Sequence, residues 1–242
     1  AVVPMAFMRQ MGVPREKIFF KRRTRQRGTS QYERQGAKGH SLVVHEGGLK
    51  FRVNLTDYVD TGLFLDHRLT RSMVRKVAAG KRFLNLFGYT GAFTVYAVAG
   101  GAASTTTVDL SPTYLNWAAE NLALNDLQGG QHRFIQSDAL SFLDQLPSGE
   151  HYDLAVVDPP TFSNSKRTER IWDIQRDHAE LLRKLLPLMS PGGVIYCSTT
   201  FRRFKPDESA IAGTTSREIT RQTVPEDFRN KRIHRAWRIV VN

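Results

Sequence analysis

Asp158, Pro159, Pro160 and Phe162 concentrate chemistry-bearing residue types in this 242-residue chain. In AVVDPPTFSNSKR, residues 155–167, an apolar, strand-like run ends on an acid, two prolines and an aromatic ring. Prolines fix φ and carry no N–H, so they cannot extend a sheet, and each biases the residue before it away from helix. The expected product is a rigid ledge with outward-facing, unpaired carbonyls. Asp158 and the Pro159 carbonyl can then accept hydrogen bonds from the edge of a planar ring, while Phe162 stacks on its face. A strand-ending turn closed by Asp158 has the same composition, so the run by itself leaves both roles open.

Two more acids end strand-like segments upstream: Asp109 closes STTTVD (104–109) and Asp138 follows HRFIQ (132–136). In NLFGYTGAF (85–93), Gly88 and Gly91 remove side chains where a turn must pass close to a ligand. A dinucleotide site needs three glycines so that backbone N–H groups and a helix N-terminus can cradle a pyrophosphate. This turn sets Tyr89 and Thr90 between only two. Asp109, 21 residues beyond Gly88, has the separation at which an acid accepts hydrogen bonds from both ribose hydroxyls, and Asp138 can accept one from an adenine amino group. Singly, each aspartate is more often an N-cap or turn residue. Together they imply a nucleoside carried without phosphates, which is S-adenosylmethionine.

The elements that must position these residues alternate regularly. Strands are predicted at 81–87, 104–109, 132–136, 152–158 and 192–200, and helices at 90–101, 111–125 (Ser111 as N-cap, Pro112 at the first position), 138–146 and 169–190. In the last helix Ile171, Ile174, Leu181, Leu182, Leu185, Leu186 and Met189 share one stripe. Alternating strands and helices make a parallel, doubly wound α/β sheet, whose ligands sit beyond the carboxyl ends of the strands.

Charge is distributed unevenly. Residues 61–199 hold 13 Lys/Arg and 13 Asp/Glu, residues 1–60 hold 12 against 5, and residues 200–242 hold 10 against 5. Between 21 and 38 seven basic residues, Arg22, Arg23, Arg25 and Arg27 among them, meet one acid. Such a segment suits an RNA backbone, where each neutralised phosphate releases counterions; a solvated basic arm has the same composition. Lys166, Arg167, Arg202, Arg203 and Arg232 extend the candidate RNA surface. The single cysteine, Cys197, excludes an internal disulfide framework and fits a cytoplasmic setting. No apolar run is long enough for a membrane span. The first residues, AVVPMAFMRQ, read as an internal segment of something longer.

The motifs TGLFLDHRLTR, NLFGYTGAFTV, STTTVDLSPTYLNWAAENLALN, DPPTFSNSKR and NKRIHRAW occur in order between about residues 15 and 241. Together they resemble the large-subunit ribosomal RNA guanine-N7 methyltransferases, the K half of the fused bacterial K/L enzymes. The resemblance implies a mostly parallel, seven-stranded Rossmann-like methyltransferase sheet over residues 61–242, preceded by a basic, partly β RNA-facing extension over residues 1–60. It implies a methyl donor near Asp66, Phe87, Gly88, Asp109 and Asp138, with Asn85, Gly91, Leu110 and Ala139 beside them on the same strand ends. The target base falls at Asp158 to Phe162. It further implies a 23S ribosomal RNA or an assembling large-subunit particle as substrate, and a second methyltransferase preceding this one in the fused chain.

Guanine N7 carries an in-plane lone pair and no proton, so its methylation needs orientation rather than a general base or covalent nucleophile. Asp158 is then an orienter. A cytosine-C5 enzyme instead needs a cysteine thiolate, and aligning YCSTTF with such enzymes puts Thr199 at the nucleophile's position, leaving Cys197 as a core residue. Methylation of an exocyclic amine would use the same ledge equally well, and a catalytically inactive RNA-binding module is the alternative from another class. The seven histidines show no metal-ligand spacing, and His67 and His234, each with an arginine neighbour, read as RNA-facing or structural.

Overall fold

The computed structural model describes residues 10, 12–19, 39–147, 149–163 and 171–242; the basic stretch 21–38, with Arg22, Arg23, Arg25 and Arg27, and also Lys166 and Arg167, lie outside these. The first strands among the described residues form an antiparallel hairpin, β1 (Ser41–Glu46) and β2 (Leu49–Asn54), turned at Gly47 and Gly48 with φ of 59° and 79°. Two consecutive left-handed residues make the tight turn that matches strand twist, which glycine adopts without strain. Leu49, Phe51 and Val53 on β2 are buried against Val95, Tyr96 and Leu122.

The elements that follow are α1 (Arg68–Val77), β3 (Arg82–Leu86), α2 (Ala92–Ala99), β4 (Ser104–Asp109), α3 (Pro112–Ala123), β5 (His132–Gln136), α4 (Ala139–Gln145) and β6 (Tyr152–Val157). After them come the two-residue strands β7 (Phe162–Ser163) and β8 (Trp172–Asp173), then α5 (Ile174–Leu185), β9 (Met189–Thr199), β10 (Thr214–Glu218), the single turn α6 (Thr220–Thr223) and β11 (Arg235–Val241). Seven strands form one sheet in the order β10-β11-β9-β6-β3-β4-β5. β9, β6, β3, β4 and β5 pair in parallel, and at one edge β11 pairs antiparallel with both β9 and β10. Strand order reverses about β3, which has β4 on one side and β6 on the other.

β3 and β6 are apolar on both faces because helices cover both. Leu84, Leu86, Ala155 and Val157 pack with α4 and α5, while Phe83, Leu154 and Val156 pack with α1 and α2. The threonine run of β4 is buried with partners for its hydroxyls: Thr107 Oγ1 lies 2.7 Å from Thr94 Oγ1, and Thr105 Oγ1 lies 3.1 Å from His132 Nδ1. The hairpin is fixed by polar contacts as well as apolar ones. Asn121 of α3 and Asn125 in the turn just beyond it accept from the Arg52 and Lys50 N–H groups (2.9 and 2.7 Å), closing the free edge of β2. Arg71, 1% exposed, makes a two-pronged pair with Glu46 at 2.8 and 2.9 Å, and Tyr96 Oη donates to the same carboxylate at 3.0 Å.

The helix expected over 169–190 is shorter. It starts at Ile174, where the Asp173 side chain caps the Arg176 N–H, because Trp172 and Asp173 pair with Ser163 and Phe162 as strand. It ends at Leu185, ahead of a 3-10 turn containing Pro187, which cannot extend an α-helix. Ile171 is consequently exposed outside the stripe, and Met189 opens β9. Residue patterns identified the five parallel strands but not β10 and β11, whose burial is set by pairing at the sheet edge. No helix among the described residues is long and apolar enough to cross a membrane.

Candidate active site

The turn after β3 holds Phe87 and Tyr89 at φ of 59° and 49° and Gly91 at 70°. Two non-glycine residues in the left-handed region within three positions are costly, and such strain clusters where function requires a fixed shape. Its N–H groups face inward. Gly88 donates to the Val108 carbonyl, Tyr89 to Asp109 Oδ2 and Gly91 to the Gly88 carbonyl, each at 2.9 Å. With those donors engaged, the turn is not a pyrophosphate cradle. Packing within the protein also demands both glycines: a Cβ at Gly88 would stand 2.4 Å from Thr107 Cγ2, and one at Gly91 2.5 Å from Ala118 Cβ.

Asp109 and Asp138 sit half-buried at the carboxyl ends of β4 and β5. Asp109 accepts from Tyr89 N–H on one oxygen and from Ser111 N–H (2.8 Å) on the other, so it both shapes the turn and presents a carboxylate there. Asp138 is the N-cap of α4, its Oδ1 accepting from Leu140 and Ser141 N–H at 3.0 and 3.1 Å. Leu110 and Ala139 follow them, half-buried and buried. Asn85 is interior, 1% exposed, and its amide donates to Thr94 Oγ1 at 3.0 Å, fixing α2 against β3.

The ledge after β6 is more tightly braced than its sequence suggests. Trp172 Nε1 donates to the Pro160 carbonyl at 2.9 Å and Ile174 N–H to the Thr161 carbonyl at 3.1 Å, so the carbonyls expected to be unpaired are partly used. Among the described residues the Pro159 carbonyl has no such partner. Phe162, 49% exposed, is held in register by pairing with Asp173. The Trp172 ring packs on Phe87 at 5.1 Å, joining the ledge to the turn after β3. Trp172 had no sequence signal, since its partners Ser163, Pro160 and Phe87 lie nine or more residues away.

Asp158 stands at the end of β6, with Ser198 Oγ donating to its Oδ1 at 2.6 Å and His67 Nε2 3.6 Å from its Oδ2. His67, His234 and Asp66 are all buried, which excludes the RNA-facing role for the two histidines. Asp66 Oδ2 accepts from His234 Nδ1 at 2.9 Å. Burial pushes the Asp66 carboxyl up, but the His234 hydrogen bond and the neighbouring imidazoles outweigh it and hold the group below the usual carboxylate range. Ligand atoms of the three residues lie within 4.8 Å of one another, a spacing invisible in the sequence. The two imidazoles, however, stack at 4.3 Å between centroids and 13° between planes. Nitrogen lone pairs in such parallel planes do not converge on one ion at the roughly 2.0–2.1 Å that zinc requires. The cluster is built for hydrogen bonding.

Cys197 is buried in the core, where burial, with the Asp158 charge nearby, pushes its thiol up to about 12. It is not a poised thiolate. Arg202, Arg203 and Arg232 are exposed. Because Arg235 of β11 pairs with Thr199 of β9, these arginines flank the same sheet edge as Asp158. Arg235 is tied to Glu218 and to the Phe204 carbonyl and stacks on Trp237.

A doubly wound sheet with an acid at each of three parallel strand ends, and a turn unsuited to phosphates, defines a methyltransferase using S-adenosylmethionine as donor. Residues 15–231 match the family model described as S-adenosylmethionine-dependent methyltransferase, and the chain belongs to that family. It is 55% identical over 230 residues to the ribosomal RNA large subunit methyltransferase K/L of Methylococcus capsulatus, covering 94% of this chain and 31% of that protein. The protein of the same name from Pseudomonas putida is 53% identical over 240 residues, 99% of this chain and 32% of that one. The chain thus spans about a third of the length of these relatives. Among solved structures, a methyltransferase complexed with SAH aligns with a TM-score of 0.73 and 27% identity over 86% of this chain and 57% of that one. A methyltransferase from Streptococcus mutans aligns with a TM-score of 0.72, at the same identity and coverage.

Proposed function

We propose that this chain methylates N7 of a guanine in 23S ribosomal RNA. The observation that carries methylation of a base is the ledge: Asp158 braced by Ser198, the Pro159 carbonyl without a partner among the described residues, and the exposed Phe162 ring, on one rigid segment at the strand-order reversal; the choice of N7 over the exocyclic amine, which the ledge would serve equally well, rests on the resemblance to the guanine-N7 enzymes. Asp158 and the Pro159 carbonyl would accept from the guanine N1–H and amino group while Phe162 stacks on the ring, leaving N7 on the opposite edge free to react. N7 needs no deprotonation, so the chain's task is orientation, which can supply several kcal/mol of a barrier. Asp109 and Asp138 would hold the ribose and adenine of S-adenosylmethionine, whose sulfonium supplies an already reactive methyl group. The base must leave its stack at a cost of a few kcal/mol, which contacts from Arg202, Arg203, Arg232 and the basic extension of residues 1–60 would offset. The names of the K/L relatives support a ribosomal RNA substrate.

Mass spectrometry of nucleosides after incubation with 23S RNA tests this. The expected product is 7-methylguanosine. N2-methylguanosine would move the reading to the exocyclic amine, 5-methylcytidine to the cytosine class, and no product with intact donor binding to an RNA-binding module.

A further inference from the structure

His67 stands between two carboxylates, its Nε2 3.6 Å from Asp158 Oδ2 and 3.7 Å from Asp66 Oδ2. The ring is buried, and among the described residues its Nδ1 has no hydrogen-bond partner. Burial pushes its pKa down against the pull of Asp158, so the imidazole is neutral and carries one proton. On Nδ1 that proton would be a buried donor with nothing to meet; on Nε2 it faces two acceptors. Its orientation is fixed by the His234 stack and by Phe93, whose ring meets it edge-on at 5.8 Å. His234 is held in turn, with Nδ1 on Asp66 and Nε2 2.9 Å from Thr223 Oγ1, which donates to the Thr220 carbonyl at 3.0 Å. A continuous line of buried polar groups therefore runs from α6 through Asp66 to the ledge.

We propose that His67 is a positioning residue for Asp158: its Nε2–H fixes the carboxylate at the angle from which it meets the target base, with Asp66 and His234 holding His67 in place. The inference rests on the reading of Asp158 as the orienter of the base. Both His67 distances exceed a hydrogen bond, and the contact to Asp158 closes when the base seats, as hydrogen bonds of unliganded sites commonly tighten in the complex. Ser198 already holds the other oxygen, so the two donors together set the carboxylate plane.

The test is a mutant cycle in the full-length protein, using methyl transfer to 23S RNA at saturating donor and calorimetric titration with S-adenosylmethionine. His67→Gln places an amide N–H near the Nε2 position, His67→Asn places it near Nδ1, and His67→Phe keeps a ring with no donor. kcat is expected to fall about 10-fold to 100-fold in His67→Phe and His67→Asn, the scale of a misplaced reacting group. His67→Gln should recover to within about threefold of the parent, and donor affinity should stay constant throughout. His67→Phe added to Asp158→Asn should cost nothing beyond Asp158→Asn alone, because the two act as one unit. Full additivity, or equal kcat losses in the Gln and Asn variants, means a merely structural histidine and overturns the inference. Parent-like His67→Phe beside an impaired Asp158→Asn overturns it with the ledge reading intact. A parent-like Asp158→Asn removes the ledge reading itself, and the inference with it.

Discussion

Gly88 approaches Thr107 so closely that a methyl group on it would lie 2.4 Å from the threonine Cγ2. The turn that would carry the donor is thus shaped from behind, by β4. Gly88→Ala should destabilise the fold by about 1–3 kcal/mol, the usual cost of overpacking. Thr107→Ser in the same chain should restore most of it, since serine keeps the hydroxyl that meets Thr94 and lacks Cγ2. Urea denaturation measures both. Parent-like stability of Gly88→Ala with lost donor binding would return the glycine to the ligand.

Asp109 joins turn geometry to donor binding through both carboxylate oxygens. Asp109→Ala should abolish calorimetrically measurable binding of S-adenosylmethionine. Asp109→Asn should weaken it at least about tenfold, since a hydrogen bond to a charged group contributes about 1.5–3 kcal/mol. Unchanged affinity in either variant rejects the assignment.

Cys197→Ser should retain most of the methyl-transfer activity. With its thiol pushed up to about 12, the native protein should also resist alkylation at neutral pH until it unfolds. An activity loss of several orders of magnitude in a folded variant would point to a covalent mechanism.

Asp153 of β6 is held below the ordinary carboxylate range by Arg82, with Ser190 adding a hydrogen bond. A depressed carboxyl contributes stability that is present above its unfolded value of about 3.9 and is lost as pH falls through the folded value. The parent should therefore lose stability on acidification below about pH 4, and Asp153→Asn should show a shallower acid limb from a lower neutral-pH starting point. Thermal melts across pH 2–7 would show identical limbs if the pair contributes nothing.

Replacing Arg202, Arg203 and Arg232 by glutamine should raise the apparent KM for RNA and flatten the salt dependence of binding, because fewer counterions are released. The same change at Arg22, Arg23, Arg25 and Arg27 tests the N-terminal segment. Donor titration should match the parent in both, the signature of lost uniform binding. Whichever set leaves affinity and salt slope untouched is not part of the RNA surface.

The amino-acid sequence by itself determined the five parallel strands, the helices between them and the carboxyl edge that gathers the acids. Those signals are local: apolar runs, Ser111 and Pro112 opening a helix, Asp138 following a strand. Parallel topology then puts every strand's carboxyl end on one side, so Asp109, Asp138 and Asp158 share an edge without any long-range information. The unsuitability of the turn for a pyrophosphate was legible in its two glycines, but the reason for those glycines was not, because Thr107 and Ala118 belong to other elements. Tertiary structure alone decided where α5 starts, since Trp172 and Asp173 become strand only by pairing with the ledge. It alone brought Asp66 to His234 across 168 positions and stacked that imidazole on His67. An arginine neighbour made both histidines look like surface residues, whereas burial depends on which face of the folded chain a side chain meets. Short-range patterning therefore placed the site, and long-range packing decided which side chains brace it.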